Sequence, residues 1–211
     1  MFLYKTVAQS GSTETTISRS RFIAHVSPIS SYEEGQAFVA GIRERYKDAT
    51  HNVPVMIVGN KQELQWMSDD GEPQGTAGPP ILKMLADEGL TNLVVVVTRY
   101  FGGIKLGTGG LVRAYQGIAK EALHEVGLAA AYEGAALTFD VDYAHLDKLH
   151  NLAQSGLFDL TDDSFTDRVR VTAVCEAEKA DEVRGIFMDV TAGRCTFLNK
   201  KTIVKLVDIT D

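Results

Sequence analysis

The chemistry-bearing residues of this 211-residue chain crowd into one stretch, Thr98 to Tyr115, reading TRYFGGIKLGTGGLVRAY. An apolar, β-branched run ends there, five glycines fall within nine residues, and an amphipathic helix begins. Glycine tolerates positive φ and leaves amides uncovered, while a helix start adds unpaired N–H donors and about half a unit of positive charge. That combination is a seat for an anion. Arg99 at the strand end, Lys105 in the loop and Arg113 in the first helical turn would ring the amides of Gly102, Gly103, Gly107, Thr108, Gly109 and Gly110. Each charge-assisted contact is worth about 1.5–3 kcal/mol. Tyr100 and Phe101 offer a stacking surface beside them. On this reading Lys105→Ala weakens anion binding and spares stability, whereas Gly109→Val damages the fold because position 109 needs positive φ. The plainer alternative is that the glycines serve only a tight turn and close helix–sheet packing.

Known phosphate loops do not match. Gly102 and Gly107 have Walker A spacing, but Thr108 stands where the lysine belongs; Gly107 and Gly109 form GxG, but Val112 replaces the third glycine. A second unusual stretch is Ser68 to Pro80, SDDGEPQGTAGPP. Its acids Asp69, Asp70 and Glu72 read as a solvated turn, because Gly71 arrives too early for an EF-hand loop. Thr76 and Gly78 open a helix there and would present amides to the same ligand, so that two helix starts share one cleft. His51, in Ala-Thr-His-Asn, precedes a strand as a general base or phosphate ligand, against a competing surface or capping role. His145 and His150 are five apart, Cys175 and Cys195 form no CxxC, and no nucleophile elbow occurs. No catalytic set, metal site or cofactor is expected.

These residues need elements to hold them. Strands are expected at Phe2 to Val7 and Arg21 to Ser27, then a helix capped by Ser31 and running to Tyr46. Val53 to Val58 and Glu63 to Met67 read as a hairpin turning at Gly59 and Asn60. Leu93 to Val97 reads as a central strand buried on both faces. Pro79 and Pro80 open a helix of about three turns carrying Ile81, Leu82 and Leu85. Leu111, Ala114, Tyr115, Ile118, Ala119, Ala122, Leu123 and Val126 form the apolar face of a longer one. Beyond residue 130 the order is strand, helix, strand, strand, helix, strand: 137–141, 144–154, 157–165, 168–176, 179–189 and 202–209, the ferredoxin-like pattern. Domains are therefore expected at 1–130 and 131–211.

Composition fits an ordinary soluble globular protein, 45% hydrophobic and 23% charged, and the order of elements makes the expected fold class α+β. Residues 1–130 carry 12 basic and 13 acidic side chains and residues 131–211 carry 9 and 15, giving the net charge of −7. A broad basic coat for nucleic acid is excluded, so any polyanion must be met locally. The sequence lacks a membrane-spanning run and a signal peptide, so a cytoplasmic protein with reduced thiols and no membrane partner is expected.

TRYFGGIKLGTGGLVRAY, together with Ala49 to Asn52 and SDDGEPQGTAGPP, closely resembles the IMPACT family, and the overall layout is similar to its bacterial YigZ branch. Val53-Pro54 departs from the bulkier residue often found after the histidine motif. The resemblance implies a first domain with the two-layer α/β sandwich shared with a small-subunit ribosomal protein and elongation factor G, including a left-handed crossover against the usual preference. It also implies a ferredoxin-like second domain, and a role in translation regulation by binding RNA, the ribosome or a ribosome-associated protein partner. Two other readings stand beside it: an enzyme or sensor for a small phosphorylated metabolite, and a protein-interaction scaffold docking through the acidic second domain.

Overall fold

In a computed structural model of the chain, which describes residues 1–209, two compact units form: Tyr4–Ala130 with the segment from Val207, and Met1–Leu3 with Ala131–Leu206. The first is an antiparallel sheet dressed with helices. After β1 (Phe2–Val7) come β2 (Gly11–Ile17), β3 (Ser20–Pro28), α1 (Tyr32–Arg45), β4 (His51–Val58), β5 (Leu64–Met67), α2 (Gly78–Asp87), β6 (Leu93–Tyr100) and α3 (Gly107–Val126). The sheet order is β2-β3-β6-β4-β5.

β6 is central, antiparallel to both β3 and β4. Its alternation divides its side chains between two cores. Leu93, Val95 and Val97 join Phe22, Val53 and Val55 beneath α2 and α3, where Ile81, Leu85, Leu111, Tyr115 and Ile118 close the layer. Val94 and Val96 meet Met56 and the α1 residues Val39 and Ile42 on the opposite face. Ser31 caps α1 by accepting from the Glu34 amide at 3.2 Å, as expected of that residue type. Both prolines sit in the first turn of α2, where no amide is missed.

The second unit runs β7 (Leu128–Val141), α4 (Leu146–Ala153), β8 (Asp159–Phe165), β9 (Val169–Glu176), α5 (Ala180–Val190) and β10 (Thr196–Asp208). β7 pairs with β9 and β10, and β9 with β8. Numbered from β7, that is the order 4-1-3-2 of a ferredoxin-like βαββαβ unit. Its core is Leu137, Phe139, Val171, Ala173, Val183 and Phe187 with both free cysteines; the Phe139 and Phe187 rings stack at 4.1 Å.

Four elements depart from the sequence reading. β2 was not expected, β7 and β10 begin earlier than 137 and 202, and α3 starts at Gly107 rather than Leu111. The alternation of β2 is carried by Thr13, Thr15 and Ile17, half-buried positions that own no core. Three of the first four α3 residues are glycine; Gly107 takes positive φ, where glycine is favoured, but Gly109 and Gly110 cost roughly 1 kcal/mol each against alanine. The buried face from Leu111 to Val126 outweighs that cost and carries the helix back to Gly107.

Candidate anion-binding site

Strand alternation sends Arg99 to the same face as Val97 and Val95, under α3. There it is 4% exposed, and its Nη1 donates to Glu72 Oε1 at 2.6 Å. The same oxygen accepts from the Tyr115 hydroxyl at 2.7 Å and lies 3.8 Å from His51 Nε2. Burial and the adjacent Glu72 carboxylate push the Tyr115 phenol far above its ordinary value. A second bond from Arg99, Nη2 to Ser20 Oγ at 3.2 Å, ties in the start of β3. Its guanidinium lies over two rings, 5.3 Å from that of Phe22 and 5.5 Å from that of Phe101.

The acids of SDDGEPQGTAGPP are structural partners rather than a solvated turn. Asp69 accepts from the amides of Gly75, Ala77 and Gly78 at 2.7–3.0 Å, so a carboxylate from the preceding turn caps α2 and meets its dipole. Asp70 accepts from the Asn52 amide at 2.7 Å and from Arg43 at 2.8 Å. The Asp70 carbonyl accepts from His51 Nδ1 at 2.7 Å, which fixes the ring's donor on that side and turns Nε2 toward Glu72.

These contacts redistribute the expected site residues. Arg99 is a buried counter-ion and does not ring the glycine amides. Tyr100 takes the opposite face of β6, where its hydroxyl donates to Asp48 at 2.9 Å, because neighbouring residues on a strand alternate. His51 faces Glu72, and Thr76 spends its hydroxyl on the Pro73 carbonyl at 2.6 Å. With Gly78 capped by Asp69, the two helix starts do not share one ligand. The Gly102 amide is likewise taken, by Ser20 Oγ at 3.2 Å.

What remains open is the start of α3. Among the described residues no side chain caps it, and no acidic residue lies in its first turn. Lys105, Gly107, Thr108, Gly109 and Arg113 are exposed. Beside them is a cleft of about 390 Å³ lined by Ile17, Ser18, Lys105, Leu106, Gly110, Arg113 and Ala114. Arg113 lies in the second turn, and its Nη1 reaches back to within 3.7 Å of the position a Gly109 methyl would take. Arg19 is a cation the sequence reading missed: it is exposed at φ +66° in the β2–β3 turn, next to the cleft residue Ser18. No long-range signal in the sequence joins that turn to the glycine loop. Positive φ is needed at Gly103 (+83°) and Gly107 (+71°) and not at Gly109, which corrects the reason given for Gly109→Val.

A family profile described as the Impact N-terminal domain matches residues 18–123, and one described as a domain of unknown function, DUF1949, matches residues 139–194. The chain is 35% identical over 204 residues to the IMPACT family member YvyE of Bacillus subtilis, covering 93% of this chain and 94% of that one. It is 43% identical over 112 residues to YigZ of Escherichia coli, covering 52% and 55%. A crystal structure described as that of a hypothetical protein superposes with a TM-score of 0.61 at 30% identity, covering 94% of this chain and 97% of that one. The sheet with its motif-built helix start, followed by a ferredoxin-like unit, is thus the two-domain architecture of a known class. The chain belongs to the IMPACT family, in its YigZ-like bacterial branch.

Proposed function

We propose that this chain is an RNA-binding protein of translation control that grips phosphate groups at the start of α3. One observation carries the reading: an uncapped, acid-free helix start flanked by the exposed cations Lys105 and Arg113 and bordered by Arg19. Free amides and the helix dipole favour an anion there, and the guanidinium and ammonium groups add charge-assisted contacts. A family tied to translation supplies the setting, and the net charge of −7 confines the contact to this patch. With about three phosphates engaged, affinity for a single strand falls with salt at a log–log slope near −2, at about −0.7 per contact. The test is fluorescence anisotropy of labelled RNA across a salt series. Weak, salt-sensitive binding that is lost in Lys105→Ala/Arg113→Ala supports the proposal; no association at low ionic strength, or association indifferent to both substitutions, overturns it.

The cleft volume favours one second reading. About 390 Å³ falls within the range of roughly 300–1,000 Å³ typical of small-molecule sites, so a small phosphorylated metabolite also fits. A thermal-shift panel of nucleotides and sugar phosphates separates the two, because ligand at a hundredfold excess over Kd stabilises by about 2.7 kcal/mol.

A further inference from the structure

We infer that Phe101 is a base-stacking platform, so that the RNA taken at the α3 cleft is single-stranded; the inference rests on the phosphate reading above and names its substrate class. Phe101 is 46% exposed and Ile104, three residues on in the same loop, is 43% exposed. An exposed ring alone is commonplace; the way this one is mounted is not. Its amide donates to Thr50 Oγ1 at 3.0 Å, and the next amide, of Gly102, is held by Ser20 Oγ. Gly102 packs so closely on the Arg19 carbonyl that a methyl group there would collide with it. Behind the ring lies the Arg99 guanidinium at 5.5 Å, itself fastened to Glu72 and Ser20. A ring backed by a fixed cation and gripped at its own backbone loses little freedom when a base is laid on it.

The platform adjoins the phosphate cleft. Gly102 touches Arg19, and Ser18, the residue before it, lines the cleft with Lys105 and Arg113. Consecutive Cα atoms are about 3.8 Å apart, so Phe101 and Lys105, four residues apart in the same loop, have Cα atoms no more than about 15 Å from each other. A duplex keeps its base faces stacked inside, and A-form geometry presents ribose and phosphate instead. Only an unpaired base can place its face on Phe101. The arrangement is that of single-strand binders, a cationic track beside an aromatic side chain, which accept any base because each has a π-face. A protein partner would meet the same ring without regard to bases, and the test separates that case.

The experiment measures anisotropy with three probes, an oligouridylate, an RNA duplex of equal length and inorganic polyphosphate, on the full chain. The parent is expected to bind the single strand more tightly than the duplex. Phe101→Ala loses about tenfold in affinity for oligouridylate and keeps its affinity for polyphosphate, and Phe101→Tyr restores the single strand. An unchanged melting temperature in Phe101→Ala assigns the loss to contact rather than to folding. Equal binding of duplex and single strand, or a Phe101→Ala variant that keeps the parent's affinity for oligouridylate, overturns the inference. If Lys105→Ala/Arg113→Ala still weakens oligouridylate in that case, the phosphate reading survives alone; if the parent binds none of the three probes, both fall.

Discussion

Arg99 Nη1 and Glu72 Oε1 meet at 2.6 Å with side chains 5% and 3% exposed, joining the glycine-rich and acidic motifs through one buried ion pair. Removing one member of a buried pair strands the other without solvent, at about 3–5 kcal/mol. Glu72→Ala and Arg99→Ala are each expected to lose stability on that scale, and the double variant less than their sum. Urea denaturation of all four proteins checks this; additive losses would dissociate the two residues.

Asp69 gathers three amides at the start of α2. Asp69→Ala is expected to cost about 2 kcal/mol, at the upper end of cap replacements, and Asp69→Asn less, because one acceptor oxygen and the favourable helix-dipole term are lost but geometry is kept. Thermal melting of the two variants gives the order.

The glycines are not equivalent. Gly102→Ala collides with the Arg19 carbonyl, backbone against backbone, and is expected to be the most damaging. Gly103→Ala meets no neighbour but sits at φ +83°, costing about 1–2 kcal/mol. Gly109→Ala meets only the Arg113 side chain in helical backbone and is expected to be neutral or stabilising. Melting temperatures in the order Gly102→Ala, Gly103→Ala, Gly109→Ala, lowest first, are the expected result.

His25 is 5% exposed, its Nε2 has no hydrogen-bond partner among the described residues, and its ring lies 4.9 Å from that of Tyr46. Burial, with a smaller contribution from Arg45, lowers its pKa from 6.5 to about 4. Below pH 6.5 the unfolded chain therefore takes up a proton that the folded chain refuses until about pH 4. Stability falls as pH drops through that window, by roughly 3 kcal/mol at about 1.4 kcal/mol per unit. His25→Leu is expected to flatten the curve there; denaturation midpoints from pH 7 to pH 4 compare it with the parent.

Much of the fold was legible because periodicity is a direct trace of packing. Leu93 to Val97 announced a strand buried on both faces, and Leu111 to Val126 one apolar helical face. β2 was hidden because an edge strand has little core to bury, and Thr13, Thr15 and Ile17 carry its alternation faintly. The site was legible in its motifs and not in its pairings. Arg99 and Lys105 read alike as cations, yet strand parity buries Arg99 against Glu72, while Lys105, in the loop beyond β6, stays in solvent. The contact of Arg19 with Gly102 joins residues 83 positions apart, a juxtaposition no local pattern encodes.

Arg99 and Tyr115 reach the same oxygen of Glu72 from opposite ends of the glycine-rich stretch. The stretch between them is therefore a tethered ring, closed without a covalent bond. Loop-closure entropy has already been spent in folding, and a guest ordering this segment would tighten a short arc rather than recruit a free tail. Weak contacts can then suffice for capture, because little ordering cost opposes them.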